Sequence, residues 1–119
     1  MFHAANPEDK HVLVEMALQC VADSKRWFPN VTDSIPHHTL AMAGEVGEFA
    51  NIVKKIERGD LDIHDAATRN KLAMELTDVM VYLLNIAGLL RINLAVTYDV
   101  VRKHNEKRFY TDKQVNNHG

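Results

Sequence analysis

Two acid pairs stand at i,i+3 spacing inside otherwise apolar helical stretches: Glu45 with Glu48, and Glu75 with Asp78. On an α-helix that spacing puts both carboxylates of a pair on one face, within reach of one ligand. Ionised carboxylates are rarely buried without a partner, so four of them turned toward a core call for compensating positive charge. A divalent cation bound by oxygen is the simplest source of it. At about 6 Å and an effective dielectric near 20, each carboxylate pair repels by about 2–3 kcal/mol. A cluster of four makes six such pairs, enough to consume most of a small domain's margin of about 5–15 kcal/mol. Protons, lysines or metal ions must neutralise it.

Helical winding assigns the faces. Between residues 40 and 56 the apolar arc comprises Met42, Val46, Phe49, Ala50, Val53 and Ile56, with Ile52 at its margin. Glu45 falls inside that arc and Glu48 on its edge, while Asn51, Lys54 and Lys55 take the opposite face. From residue 76 to 90 Asp78 is the single acid. The wheel there is apolar nearly all round except for one stripe of Glu75, Asp78, Tyr82 and Asn85, the pattern of a buried helix whose stripe faces something polar. One such acid pair alone is usually solvated surface. Two on neighbouring helices, both against apolar faces, favour a shared interior ligand, with an internal salt network through Lys54 and Lys55 as the competing arrangement.

The elements that hold these residues read as helical throughout, and no segment alternates as a strand would. A first helix is expected over residues 7–26, with Asn6 as N-cap and Pro7 at the first helical position. Its apolar positions are Leu13, Met16, Ala17, Cys20 and Val21. A loop rich in Pro, Asn, Asp and Ser follows over residues 29–36. A second helix runs from His37 and stops before Gly59, and a third runs from beyond Asp65 to Leu90. A fourth, capped by Asn93, carries Leu94, Tyr98, Val101 and Phe109 on one face. Residues 111–119 are polar and expected to be a flexible tail, leaving residues 1–110 as one domain. Gly44 and Gly47 interrupt the second helix, where packing of a neighbouring helix is the expected reason.

Composition narrows the function. The chain of 119 residues carries 14 basic and 16 acidic residues and a formal net charge of -2, which gives no footprint for nucleic acid. Cys20 is the only cysteine, so an internal disulfide is excluded and a reducing, cytoplasmic setting is expected. The opening residues lack the basic start and apolar run of a signal peptide. The apolar run of residues 76–90 is shorter than the roughly 20 residues of a membrane span and contains Asp78 and Asn85, so no membrane partner is expected. A 119-residue chain cannot easily cover a third helix that is apolar nearly all round. The expected architecture is therefore an all-α bundle of four to five helices completed by homo-oligomerisation, as a homodimer or a dimer of dimers.

The run Ala43-Gly44-Glu45-Val46-Gly47-Glu48-Phe49-Ala50, followed by Glu75-Leu76-Thr77-Asp78-Val79-Met80-Val81-Tyr82-Leu83-Leu84, resembles the core of the MazG-like nucleoside triphosphate pyrophosphohydrolases. Dimeric dUTPases and phosphoribosyl-ATP pyrophosphohydrolases belong to the same all-α superfamily. The similarity covers residues 40–109. It implies a Mg²⁺-dependent enzyme, with Mn²⁺ as the ion that could replace it, that splits a nucleoside triphosphate into the monophosphate and pyrophosphate. By that pattern Glu45, Glu48, Glu75 and Asp78 would be the metal ligands. Glu48, at the rim, is the preferred general base, and pairwise bridging leaves Glu45 as the other catalytic candidate. The resemblance also implies phosphate contacts from Lys54 or Lys55, and from Asn105 with Arg108. The family's lysine one turn before that Asn is Val101 here, with Arg102 and Lys103 adjacent.

Tyr82 shares the acid stripe and could bond an acid or touch substrate. Asn105, in the apolar arc of the fourth helix, would be a buried amide. Trp27 and Phe28 could stack a nucleobase, although at a helix end core packing is the commoner use, and His37 and His38 read as surface residues that could line a pocket. A di-iron carboxylate bundle would need Glu-x-x-His pairs, which these motifs do not offer. A non-catalytic helical scaffold and the sibling phosphoribosyl-ATP pyrophosphohydrolase remain as alternatives.

Overall fold

The computed structural model describes residues 10–30 and 34–118; the Asn6 and Pro7 cap lies outside that set. Among the described residues there are four helices and no strand: α1 (Lys10–Trp27), α2 (Ile35–Glu57), α3 (Ala66–Leu90) and α4 (Leu94–His118). Local chemistry sets their ends. The Ser34 side chain accepts from the His37 N–H at 3.2 Å and caps α2, with Pro36 in its first turn. Gly59, at φ 84°, turns the chain out of α2. Arg91 closes α3 in the left-handed conformation (φ 56°), and the Ile92 N–H reaches back to the Ala87 carbonyl at 2.9 Å. Asn93 then caps α4 through its Oδ1, which accepts from Ala95 N–H and Val96 N–H. The helix of α4 continues through His118.

α3 is the central rod, packed against α2 on one side and α1 on another, while α4 packs on α1. Both helices of the α2–α3 pair show a seam of buried or half-buried residues repeating every three or four positions. On α2 the seam is His38, Met42, Glu45, Phe49, Ile52 and Ile56; on α3 it is Thr68, Leu72, Glu75, Val79, Tyr82 and Ile86. Each seam therefore carries a glutamate at a position that otherwise takes an apolar side chain. The antiparallel register brings Glu45 opposite Glu75, and two turns away it brings His38 opposite Tyr82, with ring centroids 6.0 Å apart.

The α1–α3 contact is close at Gly88. A Cβ added to Gly88 would lie 2.7 Å from Val21 Cγ2 and 3.0 Å from the Ala17 carbonyl oxygen, so glycine is needed there for close approach. Gly88→Ala should lower stability by about 1–3 kcal/mol despite the better helix former, because backbone must move. A denaturant midpoint equal to or above wild type would show that the contact can yield. Gly44 and Gly47, by contrast, face open space, and a Cβ at either meets nothing within 4 Å. The expected packing of a neighbouring helix on them does not occur within the chain, because α3 sits against the opposite face of α2.

Much of the apolar surface finds no cover. Among the described residues the buried apolar side chains are Ala17, Leu84, Ala87 and Ala95, of which only Leu84 is large. Leu76, Leu83 and Leu90, seven residues apart on α3, are 53%, 43% and 50% exposed. On α2, Val46 and Val53 form the uncovered half of the apolar arc, and on α4 Tyr98, Val101 and Phe109 are open as well. The radius of gyration is 18.3 Å, against about 13.5 Å for a compact chain of this length. The accessible surface is 9559 Å², against about 6,500 Å² for a folded monomer of this mass. With an 18-residue stretch of mean hydropathy 1.5, the 25-residue α3 is also long and apolar enough to cross a membrane by length and composition, a test that the core helix of a soluble bundle passes too.

Candidate metal centre and adjoining cavity

The two seam glutamates are what the i,i+3 spacing builds on. Because Glu45 and Glu75 point into the α2–α3 contact, the residues three positions on, Glu48 and Asp78, fall at the rim and are exposed. One oxygen each from Glu45, Glu48 and Glu75 lies within 4.8 Å of the others, a spacing that one cation could bridge. Asp78, a turn beyond Glu75, is close enough that its charge raises the pKa of both seam glutamates.

Glu45 Oε2 and Glu75 Oε2 are both buried with no hydrogen-bond donor in reach. Buried polar atoms are normally partnered, so two orphaned acceptors side by side mark a place where a proton or a cation belongs. Loss of water around Glu45, followed by its neighbours Glu75, Glu48 and Asp78, pushes its carboxyl up from 4.5 to about 7. Glu75 is raised as well, again first by loss of water and then by Glu48. The donor set is all carboxylate oxygen, with no histidine or thiolate, which suits a hard divalent cation rather than zinc or a di-iron centre.

The raised Glu45 carboxyl makes stability depend on pH. Its proton is bound more tightly in the folded than in the unfolded chain, so the folded state carries no penalty from it below about pH 4.5. The penalty grows between 4.5 and about 7 and persists above. Metal-free wild type should therefore lose about 2–5 °C in Tm across that window relative to Glu45→Gln, which has no proton to lose. Parallel Tm–pH curves for the two proteins would show that the cluster does not hold that proton.

A cavity of about 420 Å³ opens two turns along the same seam, where the C-terminal end of α1 and the first turns of α2 meet α3. Its aromatic lining is Trp27, Phe28, His37, His38 and Tyr82, joined by Cys20, Asp23, Ser24, Val81 and Asn85. Trp27 and Phe28 are 61% and 58% exposed; they do not pack as core, because α1 ends there with no helix above them. His38 is buried, against the expectation of a surface residue, because it occupies a seam position facing Tyr82. His37 stays exposed at its side, 5.4 Å from it ring to ring. Burial, then Asp23, raises the Cys20 thiol.

The remaining expected residues divide. Lys54 shares a shallow groove on α2 with Gly47 and Glu48, next to the carboxylate cluster. Lys55 lies on the exposed side of α2. Asn105 and Arg108 stand on the outer half of α4, whose packing is on α1. Asn105 is exposed rather than buried, because none of the described helices covers that face. Arg108 lies over the ring of its own neighbour Phe109 at 5.2 Å. Asn85, which the helical wheel places on the polar stripe one turn beyond Tyr82 but to which the sequence assigns no role, lines the cavity. Compared with protein-family models, with curated proteins and with solved structures, the chain matches none of them.

Proposed function

We propose that this protein is a divalent-cation-dependent nucleoside triphosphate pyrophosphohydrolase of the MazG-like kind, releasing a nucleoside monophosphate and pyrophosphate. One observation carries the reading: three carboxylates converge within 4.8 Å around two orphaned buried oxygens, two turns from an aromatic-lined cavity. The cavity lies within the range of about 300–1,000 Å³ typical of small-molecule sites. The distance along α3 from Asp78 to Asn85 is about 10 Å, which suits a nucleotide whose phosphates meet the acids while its base enters the cavity.

In this reading Glu45, Glu75, Glu48 and Asp78 would hold Mg²⁺, the first two from the seam and the last two from the rim. A bound Mg²⁺ screens the triphosphate charge and acidifies a water at the site. Glu48, exposed and adjoining the cluster, takes the proton that the attacking water gives up as its oxygen bonds to phosphorus and the anhydride P–O bond breaks. Lys54 meets phosphate charge from the same face of α2, while Trp27 and Phe28 stack on the base. Tyr82 sits between the two halves and lines the base cavity.

The catalytic unit is a homodimer or a dimer of dimers. Each chain exposes roughly 3,000 Å² more than a compact monomer would, more than one subunit's share of an ordinary obligate interface, about 1,000–2,500 Å². Asn105 and Arg108 then reach a phosphate only as a contribution from α4 of a second copy. A soluble cytoplasmic setting agrees with α3 placing its carboxylates mid-helix against α2 rather than against lipid.

Purified protein with Mg²⁺ and a panel of nucleoside triphosphates, phosphoribosyl-ATP included, should release pyrophosphate from at least one, and calorimetry should register Mg²⁺ binding. Neither turnover nor ion binding would leave the non-catalytic scaffold as the better account. Turnover of phosphoribosyl-ATP alone would favour the sibling enzyme.

A further inference from the structure

Asn85 lines the aromatic cavity and carries a polar atom with no partner among the described residues. Asn85 is 3% exposed. Its Nδ2 donates to the Val81 carbonyl at 3.0 Å, and because a carbonyl can only accept, this bond fixes which end of the amide faces the helix. Oδ1 is the end left over, buried and without a donor among the described residues. An unpaired buried acceptor is destabilising until a donor arrives. The walls around it offer π-faces from Trp27, Phe28, His38 and Tyr82, which suit a planar ring.

We propose that Asn85 determines base specificity, its Oδ1 accepting a hydrogen bond from the exocyclic amino group of a 6-aminopurine or 4-aminopyrimidine and rejecting the corresponding keto bases. This deepens the pyrophosphohydrolase reading and rests on it for the substrate, though not for the cavity. A keto oxygen at the same place would set lone pair against lone pair and leave Asn85 Oδ1 and itself both unpaired. A site built around one buried polar group discriminates chiefly through the penalty on the wrong partner.

Trp27 is the only tryptophan and lines the cavity, so its fluorescence reports a stacked ring without any label. Full-length protein, metal-free, is titrated with the matched pairs adenosine and inosine, and cytidine and uridine, which differ only in amino against keto. The amino member of at least one pair should quench at about tenfold lower concentration than its keto partner. Asn85→Leu should bring that ratio to within about twofold by weakening the amino member. Purine riboside, which lacks the amino group altogether, should bind wild type about tenfold more weakly than adenosine if the purine pair is the one favoured, a comparison that does not depend on any variant folding. Equal binding within both pairs, a preference that survives Asn85→Leu, or no quenching at millimolar nucleoside would each overturn the proposal. These ligands carry no phosphate, so amino-selective binding with no pyrophosphate release from any triphosphate would sink the hydrolase and keep the subsite. Equal turnover of ATP with ITP and of CTP with UTP would do the reverse.

Discussion

Glu45→Gln should reduce pyrophosphate release by at least about 10²-fold while leaving the metal-free fold as stable as wild type or more so. The two halves of that result come from one cause. Glu45 occupies a position in the α2–α3 seam where its flanking neighbours are Met42 and Phe49, and its Oε2 has no donor. An amide there removes the charge that Glu48, Glu75 and Asp78 repel, which relieves the apoprotein, and it removes an anionic ligand, which weakens the ion. Asp78→Asn acts the same way from the rim, with a smaller gain in Tm because Asp78 is exposed. Activity is measured as pyrophosphate release at saturating Mg²⁺, and Tm is measured with chelator. Wild-type activity in both variants would refute the ligand assignment. Lost activity with a Tm well below wild type would show instead that the carboxylates are held by partners within the protein.

Leu83→Asp should abolish the oligomer. Leu83 is 43% exposed in the middle of the Leu76, Leu83 and Leu90 stripe, and a charge there would have to be buried unpaired if a second α3 or α2 covers that face. Wild type should sediment at twice the 13.5 kDa chain mass or a higher even multiple, and its Tm should rise with protein concentration. The variant should be a monomer or unfold, and in either form lose turnover. Should the variant unfold, the concentration dependence of wild type remains decisive. A wild-type monomer with a Tm independent of concentration would sink the assembly. If Arg108 acts across the interface, mixing Glu45→Gln with Arg108→Ala chains should restore part of the activity that each lacks alone. Arg108 acting within its own chain would give no recovery.

Local sequence signals carried the helices well. The Asn93 cap, the stop before Gly59 and the α3 span ending at Leu90 follow from side chains acting on backbone a few residues away, and such interactions are legible in a linear string. The placement of Glu45 inside an apolar arc was equally legible, because helical winding is fixed by geometry. The glycines were not. Gly44 and Gly47 attracted notice beside the acids but face open space in the chain, whereas Gly88, in a run of leucines, is the one pressed against α1.

The sequence by itself determined an all-α chain with two acid pairs, Glu45 inside an apolar arc with Glu48 on its edge and Glu75 with Asp78 on one polar stripe, because both placements follow from the 3.6-residue turn. Only the tertiary structure decided that the two interior glutamates meet across an antiparallel seam. It also decided that His38, Tyr82 and Asn85 close a cavity with Trp27 and Phe28, and that α4 carries Asn105 and Arg108 away from the acids. The reason is physical: helix winding is periodic and local, whereas the register of one helix against another is set by which side chains interlock, and the same apolar stripes would permit more than one answer.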